Sequence, residues 1–173
     1  TYMEKISAKV KEKGVVDLDF STKENIFNLS EYLNKKPENI TECILNRPRH
    51  NKIITELNII GVTIKLISYG DVSGALLVTE DKYGVDIFLG IGGGPEGVLA
   101  ASALDTFNCN FQGRFLFKSE EEKTRANKMG ITDFNKKYEI GEIIKGESIF
   151  CATGITSGDL MNGVITVSYT HLA

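Results

Sequence analysis

The apolar positions of this chain recur with two periods, and the shifts between them mark its elements. Thr1–Val10 reads as the end of a strand. Val15–Phe20 alternates poorly and fits a strand or a loop. Ser21-Thr22-Lys23-Glu24 has the form of a capping box, in which the hydroxyl accepts from a free helix N–H and the Glu reaches back. Ile26, Phe27, Leu29, Tyr32 and Leu33 follow at roughly helical spacing, and Pro37 ends that element. Glu42–Leu45 predicts a short strand. Ile53, Ile54, Leu57 and Ile60 predict the inner face of a helix that Gly61 closes.

The pattern then repeats. Val62–Ile67 predicts a strand, Tyr69-Gly70-Asp71 a turn and Val72–Val78 a short helix. Val85–Leu89 is a continuous apolar run, as expected of a strand covered on both faces. A glycine loop and a helix from Pro95 to about Phe107 follow. Phe111, Gly113, Phe115 and Phe117 alternate as a strand, Ser119 opens a polar helix running to Met129-Gly130, and Glu147–Ala152 reads as another strand. Strand–loop–helix units in series predict an α/β layered sheet in one domain.

Composition narrows the partners. A chain of 173 residues can bury a core of its own. The net charge of −3 gives no global basic field, so no nucleic acid partner is expected. No apolar run reaches membrane-spanning length and no signal-peptide pattern opens the chain, so no membrane partner is expected either. Cys43, Cys109 and Cys151 are odd in number and far apart, which suggests neither a disulfide framework nor a zinc knuckle; a reducing cytoplasm fits.

Four segments fall at the carboxyl ends of the expected strands, where open α/β sheets gather ligands. Arg47-Pro48-Arg49-His50 sets two guanidinium forks within three residues. It is either a solvated helix start or a phosphate grip, since cations at a helix N-terminus oppose the dipole unless an anion joins them. Asp71 in Tyr69-Gly70-Asp71 can cap the next helix. Gly90–Gly97 bares the backbone before Pro95 starts a helix. Residues 92–97 formally satisfy GxGxxG, but Glu96 stands where a pyrophosphate would lie and Pro95 removes an N–H donor. A carboxylate there suits a hard cation such as Mg²⁺ or Mn²⁺, or simply complements the helix dipole. Thr153–Asp159 is a turn capped by Asp159, or a second anion or metal contact. His50 is the one histidine near a candidate site, and His171 lies in a doubtful tail.

Taken together, GIGGGPEGVLAASAL followed by NFQGRF resembles the signature of class II fructose-1,6-bisphosphatases of the GlpX type. YMEK, RPRH, ISYGDVSGAL and ATGITSGDL stand in the order and spacing that family shows. The resemblance runs from Tyr2 to about Val164 and implies a layered αβαβα sandwich. It further implies metal-dependent hydrolysis of the 1-phosphate of fructose 1,6-bisphosphate in gluconeogenesis, with Mn²⁺ or Mg²⁺ as cofactor; some relatives also take sedoheptulose 1,7-bisphosphate. By the same resemblance Tyr2, Arg47, Pro48, Arg49, Tyr69, Gly70, Asp71 and Gly93 contact the sugar bisphosphate, and Glu96 is a metal ligand. Arg47 stands where the family usually has Lys, and Tyr69 where it usually has Asp. Most metal-binding carboxylates of the family lie upstream of YMEK. Residues 1–164 are therefore expected to be the C-terminal part of a bisphosphatase domain and 165–173 a doubtful tail. The fragment alone is expected to be inactive, and the full-length protein a homo-oligomer. Two alternatives stand beside this: a nucleotide-binding module using Gly92–Gly97, and a non-catalytic sugar-phosphate-binding fragment.

Overall fold

The strand at the middle of the sheet is the first in the chain. The computed structural model describes residues 1–166, so His171 and nearly all of the 165–173 tail lie outside the described residues. Strand β1 (Tyr2–Ala8) is a complete seven-residue strand, not the end of one. It runs antiparallel to both β4 (Ile87–Gly93) and β5 (Asn110–Leu116). On the far side of β4 lie β2 (Thr41–Leu45) and β3 (Thr63–Ile67), both parallel to it in direction. On the far side of β5 lies β6 (Lys137–Glu139), antiparallel, which gives the order β3-β2-β4-β1-β5-β6.

This mixed six-stranded sheet carries helices on both faces. Inward positions of β1 alternate with period two, as a sheet covered on both sides requires. Ile6 and Ala8 join Ile26 and Leu29 of α1 (Thr22–Tyr32) and Leu57 of α2 (Asn51–Ile60) in one core. Met3 joins Ala75 and Leu76 of α3 (Asp71–Leu76) and Ala100 to Leu104 of α4 (Gly94–Thr106) in the other. The local signals for α1 and α2 hold. Ser21 and Glu24 form the reciprocal capping box, and Gly61 closes α2 at φ 87°, a left-handed conformation that suits glycine. Helix α5 (Glu120–Lys128) begins at Ser119, whose hydroxyl accepts from Glu122 N–H.

Several expectations need correction. Gly90–Gly93 is not a loop but the last half of β4, because β1 supplies ladder partners as far as Tyr2 opposite Gly93. Gly70, not Asp71, caps α3, and no side chain caps that helix. Of the two readings left open for Val15–Phe20, the loop is the one found. Glu147–Ala152 forms no strand: β6 already occupies the edge of β5, Phe150 packs against a core and Ile149 is exposed. Strand β6 and the short α6 (Ile140–Ile143) gave no periodic signal, being too brief to show one. Asp159 caps no helix; it pairs with Lys65 at 2.9 Å.

Candidate active site at one end of the sheet

The topology brings distant segments to one end of the sheet. The carboxyl ends of β2, β3 and β4 lie there. Because β1 is antiparallel to β4, its start at Tyr2 lies there too, and the end of β5 at Leu116 sits opposite Tyr2. The last residues of β4, Ile91 to Gly93, are the common floor.

Three side chains converge on that floor. Arg49 donates from Nε to the Ile91 carbonyl at 2.7 Å. The Asp71 carboxylate lies over Gly92 so closely that a Cβ there would meet it well inside 3.0 Å. The Glu96 carboxylate folds over Gly93 in the same way. Glycine is needed at 92 because a buried acid occupies the space a side chain would take. Pro48 opens a single 3₁₀ turn, Pro48–His50, that turns Arg49 toward β4. Tyr2 lies under Arg49, whose guanidinium carbon is 5.3 Å from the ring centroid.

His50 and Lys5 hold this arrangement. His50 is fully buried; its Nδ1 lies 2.6 Å from the Leu45 carbonyl, and its Nε2 accepts from Ile91 N–H at 2.8 Å. That pair of contacts fixes one neutral tautomer, with the proton on Nδ1. Burial, with Arg49 adding to it, pushes the imidazole below its ordinary pKa. Lys5, also fully buried, donates from Nζ to Asp71 Oδ2. Its stem runs over Gly97, where a Cβ would stand 3.0 Å from Lys5 Cε. The other carboxylate oxygen, Asp71 Oδ1, is buried without a hydrogen-bond partner. It is an acceptor ready for a donor from outside.

Not every residue expected at the site joins this cluster. Arg47 donates to its neighbour's carbonyl, Asn46 O, at 2.9 Å. Tyr69 is 81% exposed and, with Gly70, lines a separate cavity of about 630 Å³ closed by Phe150 and residues 156–161. Of Thr153–Asp159, residues Thr156 to Asp159 line that cavity, which Glu96 does not. Lys5 is the contributor that sequence patterning did not single out; His50 was noted near the site, without its tether to Ile91. A charge at an inward position of β1, between Met3 and Ser7, was the available signal for Lys5.

As a metal site the cluster is incomplete. Among the described residues no three His, Cys, Asp or Glu side chains gather closely enough to hold an ion. Glu96 offers one hard oxygen donor, whereas Mg²⁺ asks for six. The residues present therefore fit as a single ligand and not as a resident metal centre. What they can do unaided is bind an anionic sugar: cations for phosphate, a free acceptor for a hydroxyl, and a ring to lie against.

Comparison with known proteins agrees with this geometry. A family described as bacterial fructose-1,6-bisphosphatase, glpX-encoded, matches residues 1–171. A D-fructose 1,6-bisphosphatase class 2/sedoheptulose 1,7-bisphosphatase from Synechococcus sp. (strain JA-3-3Ab) is 36% identical over 94% of this chain. Proteins of the same name from Microcystis aeruginosa (strain NIES-843 / IAM M-2473) and Synechocystis sp. (strain ATCC 27184 / PCC 6803 / Kazusa) are each 37% identical over the same share. Each match covers 51% of the relative, so the chain spans about half the length of the curated relatives it matches. With the signature strand, the acid after it and the whole described sheet inside the match, the chain belongs to the bacterial glpX-encoded fructose-1,6-bisphosphatase family.

Proposed function

We propose that this chain is the substrate-binding C-terminal portion of a metal-dependent sugar bisphosphatase, which removes the 1-phosphate of fructose 1,6-bisphosphate. One observation carries the reading: Arg49, Asp71 and Glu96, from the first turns of three separate helical segments, converge on Ile91–Gly93. Arg49 grips the phosphate that is retained. Tyr2, Gly93 and Asp71 orient the sugar, Asp71 through its free Oδ1. Glu96 contributes one oxygen ligand to Mn²⁺ or Mg²⁺, which supplies charge neutralisation at the transferring phosphoryl group when bound. Sedoheptulose 1,7-bisphosphate as a second substrate, a cytoplasmic gluconeogenic role and a homo-oligomeric full-length protein belong to the same proposal.

The nucleotide-binding alternative loses support from the glycines themselves. Gly92 and Gly93 are committed to the β1 ladder, and the Glu96 carboxylate covers the place where a pyrophosphate would meet the helix start.

The test is phosphate release from fructose 1,6-bisphosphate with Mn²⁺ or Mg²⁺. In the full-length protein, Glu96→Ala should lower kcat by about 100-fold or more, and Arg49→Ala should mainly raise KM. The 173-residue chain should release little or no phosphate, yet fructose 1,6-bisphosphate should raise its Tm while NAD and ATP should not. A normal kcat in Glu96→Ala, or stabilisation by NAD alone, would overturn the reading.

A further inference from the structure

We propose that Lys118 is a further phosphate-binding cation, sharing the Tyr2 ring with Arg49, to receive a phosphomonoester of the sugar ligand. The proposal rests on the sugar-phosphate reading above and adds a residue that neither the glycine signature nor the Arg-Pro-Arg segment contains.

Lys118 Nζ lies 4.2 Å from the centroid of the Tyr2 ring, and the Arg49 guanidinium carbon lies 5.3 Å from the same centroid. The two cations come from opposite flanks of β1. Arg49 follows β2 and is tied to the end of β4; Lys118 stands two residues past the end of β5, where Leu116 pairs with Tyr2. Each is drawn to the ring's negative face, but like charges gathered at one ring repel unless an anion joins them.

No carboxylate of the described residues plays that part. Elsewhere on the surface lysines find acids: Lys137 bridges Asp17 and Asp19, Lys35 meets Asp86, and Lys65 meets Asp159. Neither Arg49 nor Lys118 has such a partner within 4.0 Å among the described residues. Of the acids that follow it, Glu120 pairs with Lys123 at 2.7 Å, and Glu122 accepts from the backbone N–H of Lys118 and faces the chain's amino end. What remains is a fork and a point charge over an amphipathic ring. That set matches a phosphate dianion beside the apolar face of a sugar: Arg binds two oxygens in plane, and Lys supplies charge without fixed direction.

Calorimetric titration of the 173-residue chain with fructose 1,6-bisphosphate at low ionic strength tests this. Lys118→Ala should weaken binding about tenfold, and added salt should narrow the gap to wild type. Lys118→Arg should stay within about threefold of wild type. Lys23→Ala removes another exposed cation–π lysine, 5.6 Å over Phe27, and should change nothing. Lys118 is exposed, so unchanged Tm values should accompany these effects. Wild-type binding with an equally tight Lys118→Ala would overturn the role of Lys118 and leave the sugar-phosphate reading standing. No saturable binding by wild type would overturn both.

Discussion

Protonating His50 would take away the acceptor that Ile91 N–H uses, although His50 itself faces no solvent. Burial is the main cause of its lowered pKa; Arg49 lowers it further, while the bond to the Leu45 carbonyl and the Asp71 carboxylate act the other way. Below the ordinary value of 6.5 the unfolded chain therefore binds a proton that the native chain resists. Stability from this group is present above that value and is lost as pH falls through it toward the depressed native value. Denaturant titrations across this range should show the loss. His50→Gln should cost about 1–3 kcal/mol at neutral pH, from the broken tether, and should flatten the slope. An unchanged slope would assign the acid sensitivity to another group. The Ile91 carbonyl that holds Arg49 belongs to the residue whose N–H this imidazole fixes, so affinity for sugar phosphate should weaken over the same interval.

At the scale of elements, β4 and its glycines decide most of the site. Gly92 and Gly93 look alike in sequence but differ in what a methyl group would meet. At 92 it strikes the Asp71 carboxylate, pinned by buried Lys5; at 93 it strikes the exposed Glu96 side chain, which can swing away. Gly92→Ala should therefore cost more than Gly93→Ala, by about 1–3 kcal/mol in urea denaturation, and should disturb Asp71 even where the fold survives. Equal costs would mean that Asp71 is freer than its ion pair suggests. The contrast also explains what could be read without coordinates. Ser21–Glu24 and Gly61 act through neighbours in the chain, so their roles showed in the sequence. Apolar runs placed β2, β3 and the start of β4 because burial follows periodicity. The extension of β4 through Gly90, Gly92 and Gly93 depends on β1, about ninety positions away, and no local signal reports it. The partners of Lys5 and Lys118 were hidden for the same reason: Asp71 and Tyr2 are far off in the chain, although the inward charge of Lys5 itself could be read.

The whole molecule balances titrations of opposite sign. Glu42 lies in β2, fully buried, with neither carboxylate oxygen hydrogen-bonded among the described residues. Burial raises its pKa well above the ordinary value, so the native chain keeps a proton that the unfolded chain releases above about 4.5. Its contribution is best in acid and declines as pH rises toward the raised value, opposite to that of His50. Glu42→Leu should accordingly raise stability at neutral pH by about 1–3 kcal/mol and leave the acid limb to His50, as equilibrium unfolding at several pH values would record. A loss of stability at neutral pH would mean that this carboxyl makes a bond with solvent or with another part of the protein.

The position of β1 has a consequence for how the site comes into being. Its seven residues are the seam between a parallel three-strand half and an antiparallel two-strand half, and no other strand joins them. Neither half alone holds both Arg49 and Lys118 to a common ring, because that ring belongs to the seam. Pairing β1 requires closing a loop of some eighty residues to β4 and a longer one to β5, the kind of late, non-local step that slows folding. Assembly of the proposed phosphate contacts and completion of the sheet are thus one event: a chain still missing its seam has two pieces and no shared ring between their cations.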